Sequence, residues 1–181
     1  VDFLDTHPEY IGCAHAHATI DEYGQTMRSS RRKISDQGEI FTCQDFLREG
    51  FVFQTASLMY RNPFQDGADY SILYKSHPLV GDLTVLSILL LRGDIYLLPD
   101  CMSAYRLVIK KEGTSAASQN AANVAASLEK SMRQLVMLEA YFQGRIDYFL
   151  KQRYLTERYL SGWLRHETGF TAAGMQYMWN H

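Results

Sequence analysis

The distribution of proline constrains the fold of this chain more than any other single feature. All four prolines lie within the first 112 of the 181 residues, and the last of them is Pro99. From Ala116 onward, apolar residues instead recur every three or four positions, which is typical of amphipathic helices. Because proline interrupts helices and is poorly tolerated inside sheets, the first part should consist of short, mixed elements. We therefore predict an α/β region over residues 1–113 and an α-helical region over residues 114–181.

The composition excludes several classes of protein. Hydrophobic residues make up 46% of the chain, which is enough for a packed core, so we exclude a mainly disordered protein. Eighteen Lys and Arg residues against twenty Asp and Glu residues leave a formal charge of -2 at pH 7. This balance argues against a nucleic-acid partner. The three cysteines, Cys13, Cys43 and Cys101, match neither a disulfide framework nor a zinc cluster, and they indicate reduced thiols in a cytoplasmic compartment.

The sequence contains no segment with the roughly 18 consecutive apolar residues of a membrane-spanning helix. The longest apolar block, residues 83–91, is interrupted by Thr84 and Ser87. The chain also begins with Val1 and shows no charged leader before an apolar run, so we expect it to be a piece of a longer chain. We expect a cytoplasmic protein whose closest association with a bilayer is peripheral.

Local signals predict a series of short elements in the first half. Thr42 is a preferred helix cap and Gly50 a preferred helix end, so a short helix is predicted between them. Alternating apolar and polar residues predict strands, and dense Pro, Gly and Asp predict turns or loops. These patterns predict a helix over 1–4, strands over 10–19 and 51–60, a turn over 21–24, a loop or exposed strand over 25–32, and a long irregular loop over 62–80.

The apolar block after residue 80 is predicted to form a buried helix. It begins at Gly81-Asp82, is apolar on nearly all sides, and ends before Gly93. Further along the chain, the patterns predict two strands over 95–98 and 102–107 around a Pro99-Asp100 turn, one long helix over 116–149, a second helix over 154–166, and an aromatic tail.

Common catalytic signatures are absent from the sequence, which has no glycine-rich phosphate loop, no GxSxG and no HExxH. His15 and His17 lie two positions apart and would share one face of the predicted strand, where two imidazoles can ligate a metal. The remaining ligands of a known metal motif do not accompany them. We therefore predict no metal site here and interpret the pair as structural or exposed.

Asp82 is the strongest candidate for chemistry. It is predicted in the first turn of a buried helix directly after a long loop, where the helix dipole and free N–H groups favour a charged carboxylate. Such a carboxylate can accept a proton from a substrate hydroxyl, and the alternative is an Asp that only caps the helix. Tyr105 and Arg106 are predicted at a strand end with opposite orientations, and their alternative is a buried Tyr beside a surface Arg.

Two runs of sequence carry a resemblance to a known family. PLVGDL at 78–83 opens the apolar helix, and RGDIYLLPDCMSAYR at 92–106 follows it. Together they resemble the family 2 glycosyltransferases of the GT-A fold, in which a Gly-Asp or Glu-Asp pair opens a helix and a Pro-Asp-x-Met-Ser-x-Tyr-Arg strand follows. The segments VDFL at 1–4, HPEYIGC at 7–13 and IDEYG at 20–24 are similar to the stretch behind that family's Asp-x-Asp motif, and TASLMYR at 55–61 is similar to its strand toward the acceptor site.

The resemblance covers about residues 1–113 and implies the acceptor-side portion of an inverting enzyme with a partial GT-A sheet. It implies that Asp82 is the general base, and that Tyr105, Arg106, Thr55, Ser57 and Gly81 bind substrate. The parent would take a sugar from a nucleotide-sugar donor to a saccharide or lipid-linked acceptor.

The resemblance also implies Mg²⁺ or Mn²⁺ in the parent enzyme, bound through an Asp-x-Asp motif that this chain does not contain. Where many members have a His that helps to bind the metal or the diphosphate, this chain has Val108. We therefore expect the 181-residue chain alone to be inactive.

A second interpretation places this chain in a different class of protein. The helices predicted after residue 116, with the aromatic residues of 141–179, are also compatible with a non-catalytic interaction module. Such a module would form a homodimer, or would contact a protein partner or a membrane surface. Loss of a dimer on deletion of residues 117–181 would favour this reading.

Overall fold

The computed structural model describes residues 2–28, 33–76, 81–108 and 122–181. Within these ranges the chain forms a mixed α/β structure with seven α-helices, one 3-10 turn and a five-stranded mixed sheet. The helices are α1 (Asp2–Thr6), α2 (Cys43–Glu49), α3 (Ile72–Lys75), α4 (Gly81–Leu90), α5 (Val124–Phe142), α6 (Phe149–Leu164) and α7 (Ala172–Trp179), and the 3-10 turn is Thr55–Ser57. The strands are β1 (Gly12–Ile20), β2 (Thr26–Arg28), β3 (Glu39–Phe41), β4 (Met59–Tyr60) and β5 (Ile95–Arg106).

The sheet is built around the parallel pair β1 and β5. Their register places Gly12 opposite Ile95 and Ile20 opposite Arg106. β3 pairs with the start of β5, and both β2 and β4 pair with β1, all of them antiparallel, which gives the order β2-β1-β5-β3 with β4 also on β1. A Cβ on Gly12 would lie 2.8 Å from the Met59 carbonyl oxygen, so the close approach of β4 requires glycine there.

The described residues divide into two compact units. Those of 1–70 and 85–108 form the first unit, and those of 71–84 and 109–181 form the second. The first unit contains the sheet, and its core includes Phe41, Phe46 and Leu97, each fully buried. The predicted boundary at residue 113 lies outside the described residues.

The second unit contains three longer helices, α5, α6 and α7. Met132, Tyr159 and Met178 are buried among them, and the Tyr159 hydroxyl donates a hydrogen bond to Glu129 Oε1 at 2.9 Å. A Cβ on Gly174 would lie 1.9 Å from that hydroxyl, so only glycine lets α7 pack against α6 at this point. Among the described residues, no helix combines the length and the apolar composition needed to cross a bilayer.

Several local predictions are confirmed. α1 ends before Pro8, and β1 coincides with the predicted strand over 12–19 and extends it by one residue, to Ile20. The turn at 21–24 is closed by a hydrogen bond from Gly24 N to the Asp21 carbonyl oxygen. The Thr42 cap forms a reciprocal capping box with Asp45, and α2 ends at Gly50, which has a φ of 74°. The described part of α4 begins at Gly81, and its core-facing positions are almost completely buried.

Two predictions about strands are wrong. Residues 51–60 do not form one strand, because the Ser57 hydroxyl donates to the Gln54 carbonyl oxygen at 2.7 Å and closes a 3-10 turn, so that only Met59–Tyr60 is extended. The predicted Pro99-Asp100 turn is instead a bulge within one continuous β5. Leu98 lies opposite His15 and Cys101 lies opposite Ala16, so the two intervening residues loop out of the ladder where proline has no N–H to donate.

Three predictions about helices are also corrected. The long helix ends at Phe142, because Gln143 and Gly144 adopt positive φ values of 52° and 74° in a helix-terminating turn. The second helix begins at Phe149, and the aromatic tail contains α7. The predicted loop over 62–80 contains the short helix α3. Parts of four predicted elements, at Val1, 29–32, 77–80 and 116–121, lie outside the described residues.

Candidate functional site

Asp82 lies in the first turn of α4 and is exposed. Gly81 before it is also exposed, and a Cβ there would meet no atom within 4 Å. Two residues further on, Thr84 is completely buried, as are Leu86 and Leu89. The carboxylate is therefore placed at the accessible end of a helix whose body is held inside the protein.

The start of α4 is anchored by a chain of buried hydrogen bonds within the second unit. Gln134 Nε2 on α5 lies 3.2 Å from Thr84 Oγ1, which lies 3.0 Å from Ser76 Oγ. The Ser76 hydroxyl donates to the Ile72 carbonyl oxygen at 2.7 Å. Because that bond uses the single proton of Ser76, the Thr84 hydroxyl must donate to Ser76 and accept from Gln134. The donor order is therefore Gln134, Thr84, Ser76 and the backbone of α3.

These three side chains were not among the residues predicted from the sequence. Ser76, Thr84 and Gln134 are each no more than 1% exposed. A signal for one of them was present, since Thr84 interrupts the apolar block of α4. A hydroxyl inside a buried helix needs a partner, but the sequence does not show that the partner is a glutamine fifty positions later.

Tyr105 and Arg106 end the strand β5 in the first unit. Arg106 Nη1 donates to the carbonyl oxygens of Asp21 and Glu22, at 2.9 and 2.8 Å, so this guanidinium closes the turn between β1 and β2. Tyr105 is opposite Thr19 in the ladder and is 40% exposed. The alternative of a buried Tyr105 is therefore wrong. Nη1 of Arg106 is used to hold the turn between β1 and β2.

Thr55 and Ser57 lie in the 3-10 turn of the first unit. Ser57 is buried, and its hydroxyl donates a hydrogen bond to the Gln54 carbonyl oxygen. The turn leads directly into β4, which pairs with Gly12 and Cys13 at the start of β1.

The structure does not bring the 3-10 turn with Thr55 and Ser57 close to the end of β5 with Tyr105 and Arg106. Thr55 and Ser57 are at the Gly12 end of β1, whereas Arg106 is opposite Ile20. Eight residue steps separate the two ends of β1, which corresponds to about 26 Å at roughly 3.3 Å per residue. Gly81 and Asp82 belong to the second unit. The residues implied by the resemblance are thus spread over both units.

The two histidines of β1 do not join any other described residues in a metal cluster. His17 is 2% exposed, and His15 Nδ1 lies 2.9 Å from the Ala16 carbonyl oxygen. Across 2–28, 33–76, 81–108 and 122–181, no group of three or more His, Cys, Asp or Glu side chains is placed to hold a metal ion. The resemblance implies a divalent ion that is bound in the parent enzyme by a motif that this chain does not contain, so we derive no step through that ion.

Comparison with protein-family models, with curated proteins and with solved structures finds no match for this chain.

Proposed function

We propose that this chain is the acceptor-side portion of an inverting GT-A glycosyltransferase, with Asp82 as the general base. The observation that carries the proposal is the exposed carboxylate in the first turn of a helix whose body is buried. A general base must reach the substrate and must also be held in one position. Asp82 meets both requirements, because the hydrogen bonds through Thr84 anchor the helix two residues further on.

The proposed reaction transfers a sugar from a nucleotide-sugar donor to a saccharide or lipid-linked acceptor. Asp82 accepts the proton of the acceptor hydroxyl while the oxygen of that hydroxyl forms a bond to the anomeric carbon. The bond between the anomeric carbon and the diphosphate breaks, and its electron pair leaves with the nucleoside diphosphate. Attack from the side opposite the leaving group inverts the anomeric configuration.

Substitution of Asp82 by Asn tests the proposal in a protein that carries this chain behind a nucleotide-binding half. We expect transfer to fall by about 100- to 10,000-fold, which is the usual contribution of a general base. Donor affinity, measured by calorimetry, should stay unchanged because Asp82 acts on the acceptor. Asp36→Asn removes another exposed carboxylate and should leave transfer unchanged. Retained transfer in Asp82→Asn would show that Asp82 only caps the helix, and turnover by the 181-residue chain alone would contradict the assignment of the donor site to another segment.

A further inference from the structure

The outward face of α6 carries large apolar side chains that do not belong to the core. Phe149, Leu150, Tyr154 and Leu164 are each more than half exposed. With a helix advancing by about 100° per residue, these four positions fall within an arc of about 140°. The opposite side of α6 is the packed side, where Tyr159 is completely buried. A monomeric protein rarely leaves such a set of apolar residues on one helix face without a partner.

Two opposite charges lie within the same arc. Arg153 Nε lies 2.8 Å from Glu157 Oε1, and both side chains are more than 60% exposed. Along the helix the face therefore begins with Phe149 and Leu150, continues with the charged pair around Tyr154, and ends with Leu164. We call these six residues the α6 face.

We propose that the α6 face binds the α6 face of a second copy of this chain, with the two helices antiparallel. In the antiparallel arrangement, Arg153 of one copy lies opposite Glu157 of the other. The two-fold axis generates a second, identical ion pair between the two copies. The apolar ends also meet, because Leu164 of one copy lies toward Phe149 and Leu150 of the other. The charged pair is centred at residue 155 and the apolar ends near residue 157. With the two-fold axis at the charged pair, Leu164 therefore lies about 5 Å along the helix from the level of Phe149 and Leu150 of the other copy, a distance that these long side chains can span.

The charges favour a second copy of the chain, rather than a membrane surface, as the partner of the α6 face. Residues 143–181 contain five Lys or Arg against three Asp or Glu, so this region is cationic within a chain of net charge -2. A bilayer would nevertheless have to accept Glu157 at the middle of the apolar face, where a carboxylate is costly to desolvate. An antiparallel copy instead supplies an arginine to each glutamate.

A cavity beside the face provides room for the side chains of the second copy. It has a volume of about 340 Å³ between α6 and α7, and its walls include Phe149, Arg153, Glu157 and the exposed Trp179. Apolar side chains that enter a partner's cavity are the usual centre of a protein interface. The proposal is independent of the glycosyl-transfer activity.

The test measures the solution mass of the 181-residue chain by light scattering over a series of concentrations. We expect the mass to approach twice 20.8 kDa as concentration rises. Arg153→Glu and Glu157→Arg should each remain at the monomer mass, because like charges then meet across the two-fold axis. An equimolar mixture of the two variants should recover the doubled mass, since one copy carries two arginines and the other two glutamates. The control is Arg133→Glu, which makes the same charge reversal in an ion pair on α5, between the exposed Arg133 and the partly buried Glu129, and should leave the dimer intact.

The mixture distinguishes the interface from a general loss of folding, because misfolded variants would not recover a dimer on mixing. A wild-type chain that stays at the monomer mass at every concentration overturns the proposal. A dimer that both single variants retain also overturns it. If the monomeric wild-type chain sediments with vesicles of phosphatidylcholine and phosphatidylglycerol, the face is a membrane surface and the proposal is wrong.

Discussion

The hydrogen-bond chain from Gln134 through Thr84 to Ser76 gives the sharpest prediction for stability. Thr84→Val keeps the size and branching of the side chain but removes the hydroxyl, so Gln134 loses the acceptor that lies 3.2 Å from its amide nitrogen. Ser76 loses only an accepted bond, because its own proton already goes to the Ile72 carbonyl oxygen. Leaving a buried donor without its acceptor costs about 1–3 kcal/mol. We expect a loss of this size in the free energy of unfolding.

The partner substitution, Gln134→Leu, removes the donor instead. Thr84 then loses one accepted bond, and we expect a cost of about 1 kcal/mol. In the double variant both groups of this hydrogen bond are absent, so its cost should be smaller than the sum of the two single costs by about 1 kcal/mol. Ser131→Ala is the matched control on α5, because that hydroxyl only bonds back to the Ser127 carbonyl oxygen of its own helix. We expect this control to change stability by less than about 0.5 kcal/mol.

Urea unfolding followed by tryptophan fluorescence measures these differences. Both tryptophans of the chain, Trp163 and Trp179, lie on α6 and α7, so the signal reports the unit that contains the hydrogen bonds. A loss of about 2 kcal/mol should lower the urea midpoint by roughly 1 M. If the single costs simply add in the double variant, Thr84 and Gln134 are not coupled, and the anchoring of Asp82 through this chain is refuted.

Two further predictions concern α2 and the cysteines. Burial would raise the pKa of Asp45, but hydrogen bonds from the Thr42 hydroxyl and backbone N–H, with Arg48, outweigh it and hold that pKa below its usual value. A carboxyl whose pKa is lowered by folding stabilises the fold at a pH above its unfolded-state pKa, which is about 4. We expect Asp45→Asn to lower the free energy of unfolding by about 1 kcal/mol at pH 7, and this loss should shrink as the pH falls below that value. A loss that is the same at pH 7 and pH 3 would contradict this prediction. Burial also raises the pKa of the Cys13 thiol. A disulfide reagent at pH 8 should therefore label the exposed Cys101 first, and Cys13 only after denaturant is added. Equal labelling rates for the two thiols in the folded protein would contradict the burial of Cys13.

Elements that depend on neighbouring residues could be predicted from the sequence. Thr42 and Gly50 define α2 because a cap bonds to backbone groups within one helical turn. The burial of α4 was also predictable, since a helix that is apolar on nearly all sides has to be surrounded by protein. The exposed position of Asp82 follows from the same pattern, because it precedes the apolar block.

The sequence alone therefore determined the caps, the breaks and the burial of individual elements, all of which depend on interactions over a few residues. Only the tertiary structure decided the features that depend on distant partners. β5 continues through Pro99 because pairing with β1 supports it on both sides of the bulge. Gln134 meets Thr84 only after the chain has folded, because no local periodicity links positions fifty residues apart. The same reason explains the α6 face, since the spacing of apolar residues shows that α6 has such positions but not which of them the core covers.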